Sequence, residues 1–226
     1  MYNKRFWKAV AVVSGEMLLA MLIFTGVLAA IVFAIRPFVT QYKVLDMGVF
    51  IALRPLIRPW LNTLMSDITF LGQQQFLLPT NLLLIVYFLT IRRKSWFSIR
   101  IAAISLSSLM LIFALKMLFM RERPPDPLLF TAEGYSFPSG HAVMSVAFYG
   151  VLMYISSSTV NHKLLRWSIY VFLVLLILSI GFSRIYLRVH YASDVIVGLI
   201  VGLLWLIISL YMLKRIENYN KAQAVV

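Results

Sequence analysis

The stretch VIVGLIVGLLWLIISLYML, residues 195–213, runs without a charged side chain between Asp194 and Lys214. A helix of this length rises about 28 Å, which is close to the hydrocarbon thickness of a bilayer, so the stretch is typical of a transmembrane helix. The rest of the chain has the same character, because 62% of its 226 residues are hydrophobic and only 13% are charged. This composition is too apolar for a soluble domain and predicts an integral membrane protein.

Five further uncharged runs could each form a membrane-crossing helix. We therefore predict a single membrane-embedded domain, residues 1–226, with an all-α fold. Its six transmembrane helices are predicted at residues 17–35, 76–91, 101–115, 142–158, 167–183 and 195–213. The interval 36–75 is too long for a simple loop, and Pro55 and Pro59 interrupt its apolar residues. Its pattern predicts an amphipathic segment that lies at the membrane interface.

The basic residues predict an orientation. The net charge of +13 would suit a nucleic-acid-binding protein, but in a membrane protein such residues mark cytoplasmic loops. Six spans place both termini on one side, and 12 of the 21 Lys and Arg residues fall there. We therefore predict a multi-pass protein of the cell (inner) membrane with both termini in the cytoplasm. The bilayer is its expected partner, no nucleic acid is expected, and the oligomeric state stays open.

The same count of spans brings two polar loops, residues 119–141 and 184–194, together on the extracytoplasmic side. Charged side chains at the edge of the hydrocarbon are unfavourable, so several at one level indicate a functional site. The residues that gather at this level are Lys116, Arg121, Arg123, Ser139, His141, Arg184, Arg188, His190 and Asp194. Five of them are cations, which predicts an anionic ligand.

The first two segments of this set supply groups that bind anions. Lys116 and Arg123 are seven residues apart, so they share one helical face if the third span continues to Pro124. The tetrapeptide PSGH, residues 138–141, stands where the fourth helix begins, with Ser139 as its expected N-cap. Backbone N–H groups at such a helix start also bind anions. These groups could therefore hold a phosphate.

The third segment, SRIYLRVHYASD, residues 183–194, supplies a histidine and a carboxylate. His190 and Asp194 open the next helix and are four residues apart, so they are expected to be neighbours on one helical face. The carboxylate can then accept a hydrogen bond from one ring nitrogen and leave the other free. This arrangement predicts a nucleophile or a general base.

The three motifs occur in a fixed order, K(x6)RP at residues 116–124, PSGH at 138–141 and SR(x5)H(x3)D at 183–194. The ordered set resembles the signature of the type 2 phosphatidic acid phosphatase superfamily, with no departure at the signature positions. The six-helix layout resembles the membrane-embedded lipid phosphatases of that family rather than its soluble members. The resemblance implies a metal-independent hydrolase that removes phosphate from a lipid phosphate monoester or pyrophosphate through a phosphohistidine intermediate.

The resemblance also implies a role for each motif residue. His190 would be the nucleophile, oriented by Asp194, while His141 would protonate the leaving oxygen and then activate water. The groups that would hold the phosphoryl oxygens are Lys116, Arg123, Ser139, Gly140 and Arg184. Such a mechanism uses neither metal nor cofactor, so none is expected here.

The substrate and the acceptor stay open at this level. Undecaprenyl pyrophosphate, phosphatidylglycerol phosphate, phosphatidate and a lipid A phosphate all suit a site at the outer headgroup level. A phosphotransferase of the same fold would pass the phosphoryl group to another acceptor instead of water. A serine hydrolase that uses Ser139 and a transporter that only binds anionic lipids are the alternatives from other classes.

Overall fold

The computed structural model describes residues 4–35, 40–129 and 133–223, which form helices and turns with no strand among them. The helices are α1 (Lys4–Ile35), α2 (Thr40–Leu53), α3 (Pro59–Phe70), α4 (Gln74–Val86), α5 (Ser95–Phe119), α6 (Gly140–Thr159), α7 (Lys163–Tyr186) and α8 (Ala192–Gln223). A 3₁₀ turn, Arg54–Leu56, follows α2, and a π-helical turn, Tyr87–Ile91, continues α4.

Helix α6 is the centre of the bundle and packs against α5, α7 and α8. Its contact with α8 is close because two glycines of α8, Gly198 and Gly202, are four residues apart on one face. A Cβ atom at Gly202 would lie 3.1 Å from the Val143 backbone, and one at Gly198 would lie 2.9 Å from the carbonyl oxygen of Ser139. Larger residues at these glycines would separate the two helices.

Helices α3 and α4 together form the second span, which begins earlier than predicted. Residues Pro59–Ile91 make one apolar stretch long enough to cross a bilayer, interrupted by a turn at residues 71–73. Pro59 does not break this stretch, since it occupies the first turn of α3, where proline is tolerated. Gly72 in the turn packs tightly, because a Cβ atom there would lie 2.6 Å from Ile180 of α7 and 3.3 Å from His141.

The interfacial segment predicted at residues 36–75 is therefore reduced to α2 and the 3₁₀ turn, while Arg36 lies outside the described residues. Helix α2 packs against the ends of α7 and α8 and buries Asp46 and Phe50. Its opposite face exposes apolar side chains, including Val44 and Ile51. A helix that buries one face in protein and presents the other as apolar surface suits the edge of a bilayer.

The long helices alternate in direction, and this alternation sets where the polar loops lie. Five described segments have the length and hydropathy of a span, and α1 adds a shorter apolar run, Leu18–Ala30. Helices α5 and α7 end, and α6 and α8 begin, at one end of the bundle, which we call the polar end. All three sequence motifs lie at the polar end.

Candidate active site

The PSGH turn leads into α6 without a side-chain cap. Ser139 occupies the N-cap position, but its hydroxyl makes no capping hydrogen bond. This side chain is fully buried, and within the described part of the chain its Oγ has no hydrogen-bond partner. The Ser139 N–H donates to the carbonyl of Asp194 at 3.0 Å, which fixes the turn to the start of α8. The expected cap is thus in place by position, while its hydroxyl is left for a ligand.

Lys116 and Arg123 meet in the site, although not on one helical face. Helix α5 ends at Phe119, because Met120 adopts a left-handed conformation with φ 45° and its N–H bonds the Lys116 carbonyl. The prediction that the helix continues to Pro124 is therefore wrong. Lys116 Nζ donates to the Tyr135 carbonyl. The turn after α5 redirects the chain so that both cations line the same cavity.

Arg184 and His190 are joined by the turn between α7 and α8. Arg184 lies in the last turn of α7, where its Nη1 donates to Thr69 Oγ1 at 2.9 Å. The His190 N–H donates to the Arg184 carbonyl at 3.2 Å. Arg188, with φ 56°, makes the left-handed bend that closes the turn. This short connection holds the imidazole next to the guanidinium.

The His190 ring has a polar group at each nitrogen. Arg123 Nη1 lies 3.3 Å from Nε2, and Ser136 Oγ lies 3.3 Å from Nδ1. A guanidinium is only a donor, so Nε2 is the acceptor and the proton of the neutral ring is on Nδ1. Asp194 Oδ2 is 3.6 Å from Nδ1, and the Ser136 hydroxyl donates to the same oxygen. Ser136 therefore bridges the histidine and the carboxylate.

Burial lowers the pKa of the His190 imidazole to about 4, against the opposing effect of Asp194 and with a further lowering by Arg123 and Arg184. The ring is therefore neutral near pH 7, with an unprotonated Nε2. Burial also lowers the pKa of the Arg123 guanidinium, while Asp194 opposes this change. A neutral imidazole beside arginine side chains is the form required for nucleophilic attack on an anionic phosphorus centre.

Asp194 is fully buried, and both of its oxygens are occupied. Oδ1 accepts from Arg121 at 2.6 Å, and Oδ2 accepts from the Tyr191 N–H at 2.9 Å as well as from Ser136. Of these partners, Arg121 was predicted only to lie at this level, and Ser136 was not predicted at all. The sequence feature that could have indicated Ser136 is its position two residues before the PSGH turn.

A cavity of about 550 Å³ opens between α4, α5 and α6. Its polar lining includes five of the eight predicted site residues, which are Lys116, Arg123, Gly140, His141 and Arg184. Within the described residues, Nε2 of His141 has no hydrogen-bond partner. The cavity is also lined by Gln73, Gln74 and Gln75, which the sequence reasoning did not single out. The other three predicted residues, Ser139, His190 and Asp194, are buried next to it.

The catalytic roles of these eight residues stay predictions, but their proximity is a structural fact. His141 lies within electrostatic range of Arg184, His190, Arg123 and Lys116. Across residues 4–35, 40–129 and 133–223, no group of three or more His, Asp or Glu side chains is arranged to hold a metal ion. The site is thus a cluster of cations and two imidazoles around one cavity.

Comparison with known proteins identifies the class. The family model of the PAP2 superfamily matches residues 97–217, which include all three motifs. The chain belongs to this superfamily. A relative named phosphatidylglycerophosphatase B, from Bacillus subtilis (strain 168), is 31% identical over 171 residues, which are 74% of this chain and 82% of the relative.

Similar solved structures include the following two. One is the crystal structure of a transmembrane PAP2 type phosphatidylglycerolphosphate phosphatase from Bacillus subtilis, with TM-score 0.74 and 27% identity over 87% of this chain and 96% of that one. The other is LpxE of Aquifex aeolicus, with TM-score 0.58 and 32% identity over 74% of this chain and 95% of that one. They confirm the predicted all-α, multi-pass membrane fold and the activity class, a membrane lipid phosphatase.

Proposed function

We propose that the chain hydrolyses the terminal phosphate of a glycerophospholipid phosphate of the phosphatidylglycerol phosphate type through a phosphohistidine on His190. The observation that carries the proposal is that Lys116, Arg123, Arg184 and His141 line a common cavity, with His190 Nε2 3.3 Å from Arg123 Nη1. A phosphatidylglycerophosphate phosphatase of Bacillus subtilis is similar to this chain both in sequence and in its solved structure. A phosphoryl group is recognised by this combination of cations and helix N–H groups.

In the first step, Nε2 of His190 attacks phosphorus and the bond to the lipid oxygen breaks. His141, in protonated form, gives its proton to that oxygen, so that the lipid leaves as an alcohol. The charge that develops on the equatorial phosphoryl oxygens is stabilised by cations and by donors at the start of α6. These groups are Lys116, Arg123, Arg184, the Ser139 hydroxyl and the Gly140 N–H.

In the second step, His141 takes a proton from water, and the resulting hydroxide displaces His190 from phosphorus. Inorganic phosphate leaves and the resting ring is restored. Asp194 and Ser136 hold the Nδ1 side of the ring in both steps, which leaves Nε2 beside Arg123, a residue that lines the cavity. Dividing the displacement into two in-line steps lowers each barrier because the nucleophile is already held in place.

The glutamines at the start of α4 are suited to the headgroup. Gln73, Gln74 and Gln75 line the cavity together with Lys116. Amide side chains donate and accept hydrogen bonds, so they match the hydroxyl groups of a glycerol headgroup. Apolar residues of α5, among them Phe113, line the cavity on the side of the bundle surface. Lipid tails could therefore remain in the hydrocarbon while the headgroup is bound.

The proposal is tested by phosphate release from a panel of purified lipid phosphates. We expect the purified protein to release phosphate from phosphatidylglycerol phosphate with a higher kcat/KM than from phosphatidate or undecaprenyl pyrophosphate. The His190→Ala variant serves as the blank. Equal rates on all three lipids would contradict the headgroup assignment, and a labelled second lipid in place of free phosphate would indicate a phosphotransferase.

The proposed orientation places the site on the extracytoplasmic face. It is supported by the basic residues, because α1 begins and α8 ends away from the polar end, on the side where 12 of the 21 Lys and Arg residues are predicted. The chain has no cysteine, so single cysteines can be introduced for labelling. We expect a membrane-impermeant maleimide to label Glu122→Cys but not Asn161→Cys in intact cells. The reverse pattern would place the site in the cytoplasm.

The low pKa of His190 gives a direct pH prediction. Because burial lowers its pKa to about 4, the neutral ring with a proton on Nδ1 should persist down to about pH 5. The chain has three histidines, so ¹⁵N-histidine NMR in detergent can resolve them, with His190→Ala assigning the signal. We expect a bare Nε2 at pH 6 and a titration midpoint near pH 4. A midpoint near the ordinary value for histidine would show that the ring is not buried as described.

A further inference from the structure

A second carboxylate, and an arginine at an unspecified position of the first motif, lie beside the catalytic pair. Arg121 Nη1 donates to Asp194 Oδ1 at 2.6 Å, and its Nη2 donates to Asp46 Oδ2 at 2.7 Å. Asp46 lies on α2 and is 75 residues away in the sequence. One guanidinium therefore joins α2 to the carboxylate that faces His190.

The contacts around this guanidinium are well defined. The Ser193 N–H donates to Asp46 Oδ1 at 3.0 Å, and the Ser193 hydroxyl donates to Asp46 Oδ2 at 2.7 Å. Arg121 Nη1 also donates to Ser193 Oγ at 2.8 Å, and the guanidinium lies 4.2 Å from the centre of the Tyr191 ring. Planar donors, an aromatic face and two acids thus restrict Arg121 to one position.

The two acids are buried while the arginine between them is partly exposed. The side chains of Asp46 and Asp194 are 3% and 0% exposed, and that of Arg121 is 24% exposed. Two buried carboxylates this close are stable as ions only if a cation lies between them. Arg121 does so through one nitrogen for each acid, which a lysine could not reproduce.

We propose that Arg121 and Asp46 are positioning residues for the hydrolysis, in which Asp46 holds Arg121 and Arg121 holds Asp194 with Oδ2 toward His190 and Ser136. The inference rests on the proposed function, because it assigns Asp194 the task of orienting the nucleophile. The cavity lining that the described residues supply does not include Arg121, so its effect is indirect. Helix α2 thereby becomes part of the catalytic apparatus.

The test compares kcat and KM of Arg121→Met, Arg121→Lys and Asp46→Asn on one lipid phosphate. We expect kcat to fall about 100-fold for Arg121→Met and about tenfold for Asp46→Asn, with KM unchanged, because a displaced nucleophile slows chemistry without weakening binding. Arg121→Lys should recover part of the loss. Arg58→Met is the matched control, since the Arg58 guanidinium binds the exposed carbonyl of Ile57 and should leave both constants unchanged.

The double variant separates positioning from simple attachment of α2. Arg121→Met alone leaves the two buried acids without the cation between them, and the added Asp46→Asn removes one of these charges. The double variant is therefore expected to fold even if Arg121→Met alone does not. If Asp46 acts through Arg121, the double variant should be no slower than Arg121→Met alone. Additive losses, or equal losses of thermal stability with kcat per folded molecule intact, would overturn the inference.

The NMR titration of His190 supplies a readout that a structural role would not change. The charged or titratable groups that face this ring are Arg123 after α5, His141 of α6, Arg184 of α7 and Asp194 of α8. Without Arg121 the Asp194 charge is less compensated and favours the imidazolium, so the midpoint should rise by about one pH unit. An unchanged midpoint together with a wild-type kcat would refute the inference, whereas a wild type that releases no phosphate would refute the proposed function itself.

Discussion

Replacing His190 by alanine is expected to reduce phosphate release about 10⁴-fold, the largest single effect in the chain. The ring is fully buried, and its unprotonated Nε2 lies 3.3 Å from Nη1 of Arg123, which lines the cavity. Its removal deletes the atom to which phosphorus becomes bonded, and no neighbouring side chain can occupy that position. Release of radiolabelled phosphate from a lipid phosphate measures the loss.

The matched control is His162→Ala. His162 is exposed at the start of α7, at the end of the bundle opposite to the polar end. This variant should keep the wild-type rate. Quenching of the wild type with alkaline detergent during turnover should also trap an acid-labile, base-stable phosphoprotein that His190→Ala lacks. If His190→Ala kept more than a tenth of the wild-type rate, His190 would not be the nucleophile.

The second large effect is expected at His141, and it should depend on the leaving group. His141→Gln should slow release from a lipid alkyl phosphate about 10³-fold, because the departing alkoxide is then not protonated. With an aryl phosphate the loss in kcat/KM should be much smaller, since a phenolate leaves without a proton and kcat/KM reports only the first step. His190→Ala should remain inactive on both substrates. The measurement is the ratio of kcat/KM on the two substrate types.

The same variant should reveal the second step. If His141 also activates water, His141→Gln should accumulate phosphohistidine when an aryl phosphate is supplied. A burst of phenol equal to the amount of protein, followed by a slow phase, would show this. Equal losses on alkyl and aryl substrates, with no burst, would contradict the acid and base roles and leave His141 as a binding residue.

The motif residues could be placed from the sequence because membrane crossing restricts geometry. A loop between two spans must lie on one face, so counting spans brings Lys116, His141 and His190 to one end without any tertiary information. The structure has them there. The spacing of His190 and Asp194 likewise predicted that the two would be neighbours, and Nδ1 lies 3.6 Å from Oδ2. The predicted reason was wrong, because α8 begins at Ala192 and His190 lies in the turn before it rather than on a shared helical face.

Local exceptions explain what could not be predicted. The end of α5 depends on a left-handed Met120, a conformation that methionine adopts rarely and that glycine usually marks. The early start of the second span depends on Pro59, which the prediction treated as a break although proline is also common in the first turn of a helix. In both cases one backbone position decided between two permitted structures.

Long-range polar contacts are the other class that sequence patterns do not contain. Asp46 and Arg121 are 75 residues apart, and no periodicity relates an acid on an interfacial helix to an arginine in a loop. In the sequence the glutamines at residues 73–75 have the pattern of an ordinary polar turn. Only the packing of Gly72 against His141 brings them to the cavity. Such contacts depend on how helices pack, which the hydropathy of each helix leaves undetermined.

The glycine contact between α6 and α8 restricts how the protein can admit a lipid. Because these two helices approach to backbone distance, and the Ser139 N–H is bonded to the Asp194 carbonyl, neither helix can slide without losing both interactions. Helices α6 and α8 should therefore behave as one rigid unit. Movements that widen the path for a bulky headgroup are then expected in α4 and α5, which line the cavity and expose apolar side chains such as Leu83 and Phe113.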